Sequence, residues 1–224
     1  MPHIAVLDPG TKVPELHNHN RLSLASPLPT TFHLPAIHGM DSVYRIQDDI
    51  AGIVVFGSGA SVHDDEPWQR EMNAWLLPRL QTLPTLGLCY GHQLLAHLLG
   101  GEVGYLFEDH HKLRGVRQVP LTADPLWGEA CTGPMVVSHG EIVTRLPPET
   151  VLRGSSETCP VEAFAHERLP IWGFQPHPEA TTQFTTNNGI PFDDDPAILA
   201  HGWSFVDRFT AMVAAGVRDG SRRS

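Results

Sequence analysis

Cysteine is scarce in this chain. Cys89, Cys131 and Cys159 are scattered over 224 positions, without the paired spacings of a zinc site or a disulfide framework. That usage fits a reducing compartment. Long hydrophobic runs are also lacking. No segment approaches the roughly 20 apolar residues of a membrane span. The opening Met-Pro-His-Ile-Ala-Val-Leu-Asp has neither the cationic region nor the apolar core of a secretory signal. Positive charge is short as well: 15 Lys and Arg stand against 25 Asp and Glu, a formal charge of −10. No basic patch supplies phosphate contacts, so neither nucleic acid nor an anionic membrane is an expected partner. Internal repeats, low-complexity tracts and a domain linker are missing too. The expectation is a soluble cytoplasmic protein with one domain over residues 1–224, a length that suits one sizeable α/β core.

What is present alternates between apolar strand-like runs and helical stripes. His3–Leu7 is apolar and stops at Asp8-Pro9-Gly10, a strand opening onto a loop as in many doubly wound domains. A short helix is expected near Glu15–Ala25 and a strand near Thr31–Leu34. His17 and His19 suggest a metal pair, but no carboxylate–histidine set accompanies them, which favours polar surface residues. Ile50–Phe56 reads as a buried strand running into Gly57-Ser58-Gly59-Ala60-Ser61. Such a small-residue loop presents backbone N–H groups to an oxyanion, or is simply a tight turn. Asp64-Asp65-Glu66-Pro67 reads as a helix start. Trp68, Met72, Trp75 and Leu76 share one face of that helix, which is expected to end before Pro78.

Leu83–Leu88 reads as a further buried strand, and Leu94–Leu99 as a helix stopped by Gly100-Gly101. Residues 101–106 and 113–119 are expected as edge strands or a hairpin, joined by a solvated His110-His111-Lys112. Met135–His139 reads as a strand entering a turn. Ser138-His139-Gly140 there either binds substrate through its backbone or is an ordinary polar turn. Residues 161–165 and 169–175 are the last two core strands. A polar loop over 181–195 precedes a helix from Pro196 with Leu199, Trp203, Val206, Phe209 and Val213 as its buried stripe, and the tail over 218–224 is expected to fray.

Cys89 stands at a turn between strand and helix with glycine at both second neighbours, in Gly87-Leu-Cys-Tyr-Gly-His-Gln93. That is the layout of a nucleophile elbow with sulfur in place of oxygen. A helix N-terminus favours thiolate over thiol, and the Tyr90 N–H would face a developing oxyanion. The competing assignment is a buried structural cysteine. The last strand ends in Pro176-His177-Pro178-Glu179. Residues two apart on an extended chain face the same way, so Glu179 can orient His177, the general-base half of a triad.

Together, Gly-Leu-Cys89-Tyr-Gly-His-Gln93, Val-Ser138-His139-Gly140-Glu and Gly-Phe-Gln-Pro-His177-Pro-Glu179 resemble the three signature blocks of class I (triad-type) glutamine amidotransferases. They are most similar to the glutaminase half of GMP synthase. The loop followed by Ser61-Val-His-Asp-Asp-Glu-Pro-Trp68 looks more like the stand-alone branch that includes plant γ-glutamyl peptidases. The resemblance implies a flavodoxin-like, mostly parallel sheet with helices on both faces. It implies Cys89 as nucleophile, His177 as base and Glu179 as its orienter. It also implies an oxyanion hole from the N–H of Tyr90 and one from Gly57 or Ser58. Gln93 and the Ser138-His139-Gly140 backbone would hold the α-amino and α-carboxylate groups of a glutamyl substrate. No metal or other cofactor is implied. Where biosynthetic relatives carry a Gly-Gly-Pro type loop, this chain reads Gly57-Ser58-Gly59, which leaves the second oxyanion donor open.

The expected activity is cleavage of a γ-glutamyl amide through a thioester, by a stand-alone glutaminase or γ-glutamyl hydrolase acting on a small molecule. The missing acceptor domain and the Asp-Asp-Glu-Pro-Trp block favour that reading; one alternative is a glutaminase subunit that hands ammonia to a separate synthetase. Another is a non-catalytic binding module on this fold, which a complete triad disfavours. A homodimer is left open.

Overall fold

The computed structural model describes residues 1–221. In chain order its elements are β1 (His3–Leu7), α1 (Leu16–Ala25), β2 (Thr30–His33), α2 (Pro35–His38), α3 (Asp41–Tyr44), β3 (Ile50–Val55), α4 (Pro67–Arg79), β4 (Thr85–Leu88) and α5 (Tyr90–Leu98). Then come β5 (Glu102–Tyr105), β6 (Leu113–Leu121), β7 (Cys131–His139), β8 (Glu141–Arg145), β9 (Thr150–Gly154), β10 (Ala163–His166), β11 (Ile171–Phe174), α6 (Thr182–Asn187) and α7 (Pro196–Ser221).

Among the described residues the main sheet has nine strands in the order β2-β1-β3-β4-β11-β10-β9-β6-β7. The pairings from β2 through β11 are all parallel, and those from β11 through β7 are antiparallel. The parallel majority is the flavodoxin-like part, with helices on both faces. Period-two alternation explains why both faces need covering. From β1, Ala5 and Leu7 enter one core with Met72, Trp75 and Leu76 of α4 and Leu94 and Leu95 of α5. The intervening Ile4 and Val6 enter a second core with Leu22 of α1 and Val206, Phe209 and Val213 of α7. In β3, Ile53 and Val55 face the first core and Val54 the second. Because β1, β3, β4 and β11 run the same way, their C-terminal ends share one edge. Asp8, Gly57, Cys89 and the segment leading to His177 all follow those ends, where open α/β sheets bind ligands.

Several local expectations are corrected. Helix α4 continues through Pro78 to Arg79. The proline lies in its last turn, where a single backbone bond is lost, and buried Trp75, Leu76 and Leu80 hold that turn on the core. Residues 101–106 and 113–119 do not pair with each other. β5 forms a separate two-stranded sheet with β8, whereas β6 pairs β7 and β9. The polar stretch after Thr181 contains helix α6, whose Phe184 N–H is capped by Thr181 Oγ1 at 3.3 Å. Of the tail expected to fray, residues 218–221 continue α7, and 222–224 lie outside the described residues. Among the described residues no helix is long and apolar enough to cross a membrane.

Candidate active site

Cys89 connects β4 to α5 with φ 51° and ψ −104°. A non-glycine residue there carries backbone strain of about 1–3 kcal/mol, which the surrounding structure must hold. The Cys89 N–H donates to Phe174 O at 2.8 Å, and its carbonyl accepts the Gln93 N–H at 3.0 Å. The flanking glycines let the layers close. A Cβ on Gly87 would lie 2.4 Å from Gly91 O, and one on Gly91 would lie 2.2 Å from Val55 O. Helix α5 thus sits directly on the β3–β4 backbone, with the sulfur at its first turn. Tyr90 is the first residue of that helix, so its N–H lies among the group that has no intrahelical acceptor. Its hydroxyl accepts from Gln69 Nε2 at 3.0 Å.

His177 lies opposite the sulfur. Its Nδ1 is 2.8 Å from Glu179 Oε1, as the two-residue spacing predicts. Both side chains are buried. Burial alone disfavours the imidazolium, but the Glu179 carboxylate and then the Cys89 sulfur outweigh it and hold the His177 pKa well above the ordinary imidazole value. The backbone of this segment is pinned on two sides. His177 N–H donates to Val136 O at 2.8 Å, and Trp203 Nε1 donates to Ala180 O at 2.7 Å. Of the other cysteines, Cys131 is half-buried, whereas Cys159 is fully buried with its thiol pKa pushed up by burial and then by Glu162.

The structure brings every expected site residue to this edge. A Cβ on Gly57 would come within 2.8 Å of His177 Cε1 and 3.6 Å of Cys89 Cβ, so only a bare backbone fits there. Ser58 Oγ donates to Pro9 O at 2.8 Å and accepts the Ala60 N–H at 3.1 Å, which fixes the loop after β3. Ser138 O lies 3.8 Å from Cys89 Sγ. His139 is buried, and burial followed by repulsion from His177 pushes its pKa down to about 4. It is therefore neutral near pH 7. Gln93 is engaged internally: its Nε2 donates to Glu141 O at 2.7 Å and to Gln175 Oε1 at 3.2 Å. The side chain ties α5 to β8 while facing the cleft.

Cys89 stands where two hollows meet. One, of about 220 Å³, is lined by Gln93, Ser138, His139 and Gly140. The other, of about 490 Å³, is lined by His177, Lys12, Glu15, Phe184 and Asn188. Ser58, Gly59, Lys112 and Ser138 border both.

Several residues at the site are not among those the sequence points to. Gln175, whose Nε2 lies 3.8 Å from Cys89 Sγ, continues the same two-residue spacing as His177 and Glu179, and that alternation was its signal. Asp8, Lys12 and Glu15 carry no sequence signal, because only the parallel pairing of β1 and β3 brings their loop to the site. His17 is exposed, and His19 bonds Thr30 Oγ1 at 3.1 Å and stacks on Phe32, so these two behave as α1 surface residues.

Residues 29–192 match the family profile described as glutamine amidotransferase class-I. The chain is 42% identical over 97 residues to a subunit of GMP synthase [glutamine-hydrolyzing] from Pyrococcus furiosus, a match covering 43% of this chain and 51% of that one. It is 32% identical over 170 residues to GMP synthase [glutamine-hydrolyzing] of Streptococcus equi subsp. zooepidemicus, covering 75% of this chain and 32% of that one. The chain thus spans about half the length of the archaeal relative and about a third of the streptococcal one. In fold it is similar to the crystal structure of a glutamine amidotransferase from Methylobacillus flagellatus, with TM-score 0.71, 21% identity, and coverage of 96% of this chain and 94% of that one. With the profile matched over most of its length, the chain belongs to the class I glutamine amidotransferase family.

Proposed function

We propose that residues 1–224 form a single cytoplasmic domain that hydrolyses γ-glutamyl amides, with Cys89 as nucleophile, His177 as acid and base, and Glu179 as the group that orients and charges His177. The carrying observation is that a strained elbow cysteine faces a buried imidazole whose Nδ1 lies 2.8 Å from a buried carboxylate. The raised His177 pKa supports an imidazolium that stands ready to give a proton to the leaving nitrogen.

The glutamyl part occupies the hollow lined by Gln93 and the Ser138-His139-Gly140 backbone. Cys89 Sγ forms a bond to the γ-carbonyl carbon, and the C=O electron pair moves to oxygen. That oxyanion accepts from the Tyr90 N–H and from an N–H of Gly57 or Ser58. Collapse of the intermediate breaks the C–N bond, and the His177 imidazolium gives its proton to the leaving nitrogen. Neutral His177 then takes a proton from water, whose oxygen attacks the thioester carbon and expels the thiolate and glutamate. No step calls on a metal or an organic cofactor.

A second reading is a glutaminase subunit delivering ammonia to a separate synthetase, favoured by the similarity to the archaeal GMP synthase relative. Both readings share the first half-reaction. A glutamine analogue carrying an electrophile at the γ-position tests it: one molecule should attach at Cys89, and Cys89→Ala should take up none. Attachment elsewhere, or none to the wild-type chain, would refute the assignment of the nucleophile.

A further inference from the structure

Of the two hollows that meet at Cys89, only one contains His177. The group that protonates a leaving nitrogen has to lie on the side from which that nitrogen departs. If the glutamyl part fills the hollow by Gln93, the amine leaves into the hollow by His177. That hollow measures about 490 Å³, more than ten times the ~30 Å³ that a water-sized molecule such as ammonia occupies.

Its walls are held in place. Asp8, fully buried at the end of β1, accepts the Gly10 N–H at 2.9 Å and the Glu15 N–H at 2.7 Å, which folds the 10–15 loop against the sheet edge. Across the hollow, Asn188 Nδ2 donates to Glu15 Oε1 at 3.2 Å, joining that loop to the end of α6. Phe184 of α6 lies 4.6 Å from the His177 ring and gives the hollow an apolar wall next to the reacting atoms.

The charges on the rim are two lysines, Lys12 from the β1–α1 loop and Lys112 from the β5–β6 connection. Neither forms an ion pair among the described residues. The acidic neighbour is Glu15. Its pKa is raised to about 7 by burial first, against the Asn188 hydrogen bond, so its negative charge is muted near neutrality and the rim stays cationic. A chain with a formal charge of −10 therefore presents two unpaired cations beside the exit path of an amine.

Resting on the γ-glutamyl hydrolase reading, we infer that the His177-side hollow is a leaving-amine subsite for γ-glutamyl amino acids and peptides, whose leaving group meets Lys12 and Lys112 through its own carboxylate. Ammonia uses neither the volume nor the charge. The subsite thus selects a γ-glutamyl-amino acid over glutamine, with Lys12 lining the His177-side hollow alone and Lys112 bordering both.

Binding isolates this claim from catalysis. Calorimetry with the full chain carrying Cys89→Ala compares γ-glutamylglycine with γ-glutamylmethylamide, which differ by one carboxylate. The dipeptide should bind about tenfold tighter or more. Adding Lys12→Gln and Lys112→Gln should erase that difference, and Lys12→Arg with Lys112→Arg should restore most of it. Equal affinities for the two compounds, or a difference that survives the glutamine substitutions, would overturn the subsite. Turnover by the wild-type chain reports separately on the hydrolase reading. If neither compound is hydrolysed while the lysine-dependent affinity difference persists, the hydrolase reading fails and the subsite stands.

Discussion

Glu179 Oε1 lies 2.8 Å from His177 Nδ1, and the two side chains are 2% and 5% exposed. A charge placed so close in so dry a setting decides the protonation of the ring, because little solvent is left to screen it. Glu179→Gln keeps the shape and the hydrogen-bond acceptor but deletes the charge. The His177 pKa should fall, and kcat/KM should drop about 100-fold, at the low end of what a positioned acid–base group contributes. A histidine whose folded pKa is raised adds stability that is fully present below its unfolded pKa and is lost as pH rises through the folded value. Urea midpoints should therefore separate wild type from Glu179→Gln near pH 6 and converge at alkaline pH. Imidazole titration by NMR, together with those midpoints, checks both parts.

Two glycines at the site should fail differently. Gly91→Ala puts a methyl 2.2 Å from Val55 O, backbone against backbone, with no side chain able to yield. It should cost about 3 kcal/mol of stability, the upper part of the usual overpacking range. Gly57→Ala directs its methyl at His177 Cε1, 2.8 Å away. It should cost less stability than Gly91→Ala, because a ring can shift where the Val55 backbone cannot, while lowering kcat by tenfold or more. Parallel thermal melts and initial rates separate the two outcomes.

Glu15 gives a pH-dependent stability of the opposite sense to that of an ordinary paired carboxylate. Its folded pKa, raised to about 7 mainly by burial, exceeds that of an exposed carboxyl. The folded state then holds a proton that the unfolded chain has released, and stability falls as pH rises from about 4.5 to 7. Glu15→Gln retains an acceptor for Asn188 and removes the titration. The variant should gain little at pH 5 and visibly more at pH 8, measured as the difference in melting temperature from wild type at each pH.

Trp203 acts on the site from α7. Its Nε1 donates to Ala180 O at 2.7 Å, next to Glu179. Trp203→Phe keeps much of the packing but removes one hydrogen bond, costing about 1 kcal/mol. The rate should fall several-fold with KM for glutamine almost unchanged, since the effect runs through the placement of Glu179.

Much of this architecture was readable from residue pattern. The parallel strands β1, β3, β4 and β11 announce themselves because strands covered on both faces are continuously apolar. Cys89, His177 and Glu179 stand out because glycine spacing and two-residue alternation are local properties of the chain. The antiparallel part was harder to see. β8 and β9 are not legible because Thr144, Arg145, Leu152 and Arg153 mix polar and apolar positions, as strands with a solvent-exposed side do, and the partners of β5 and β6 depend on long-range register. Helix α6 was hidden by Thr and Asn, weak helix formers that its Thr181 cap and buried Phe184 overrule. The second hollow is a product of tertiary assembly alone. Lys12 and Glu15 come from the β1–α1 loop, Lys112 from the β5–β6 connection and Asn188 from the end of α6, and none belongs to a motif.

The most direct test of the central claim follows release of ammonia or amine and of glutamate when the purified chain is given glutamine and, in parallel, γ-glutamylglycine, with Cys89→Ala as control. The account predicts Cys89-dependent hydrolysis of both, with a higher kcat/KM for the dipeptide. No turnover of either, from a chain whose Cys89 still reacts with the glutamine-analogue electrophile, would contradict it and leave the reading of a glutaminase that works only beside its synthetase.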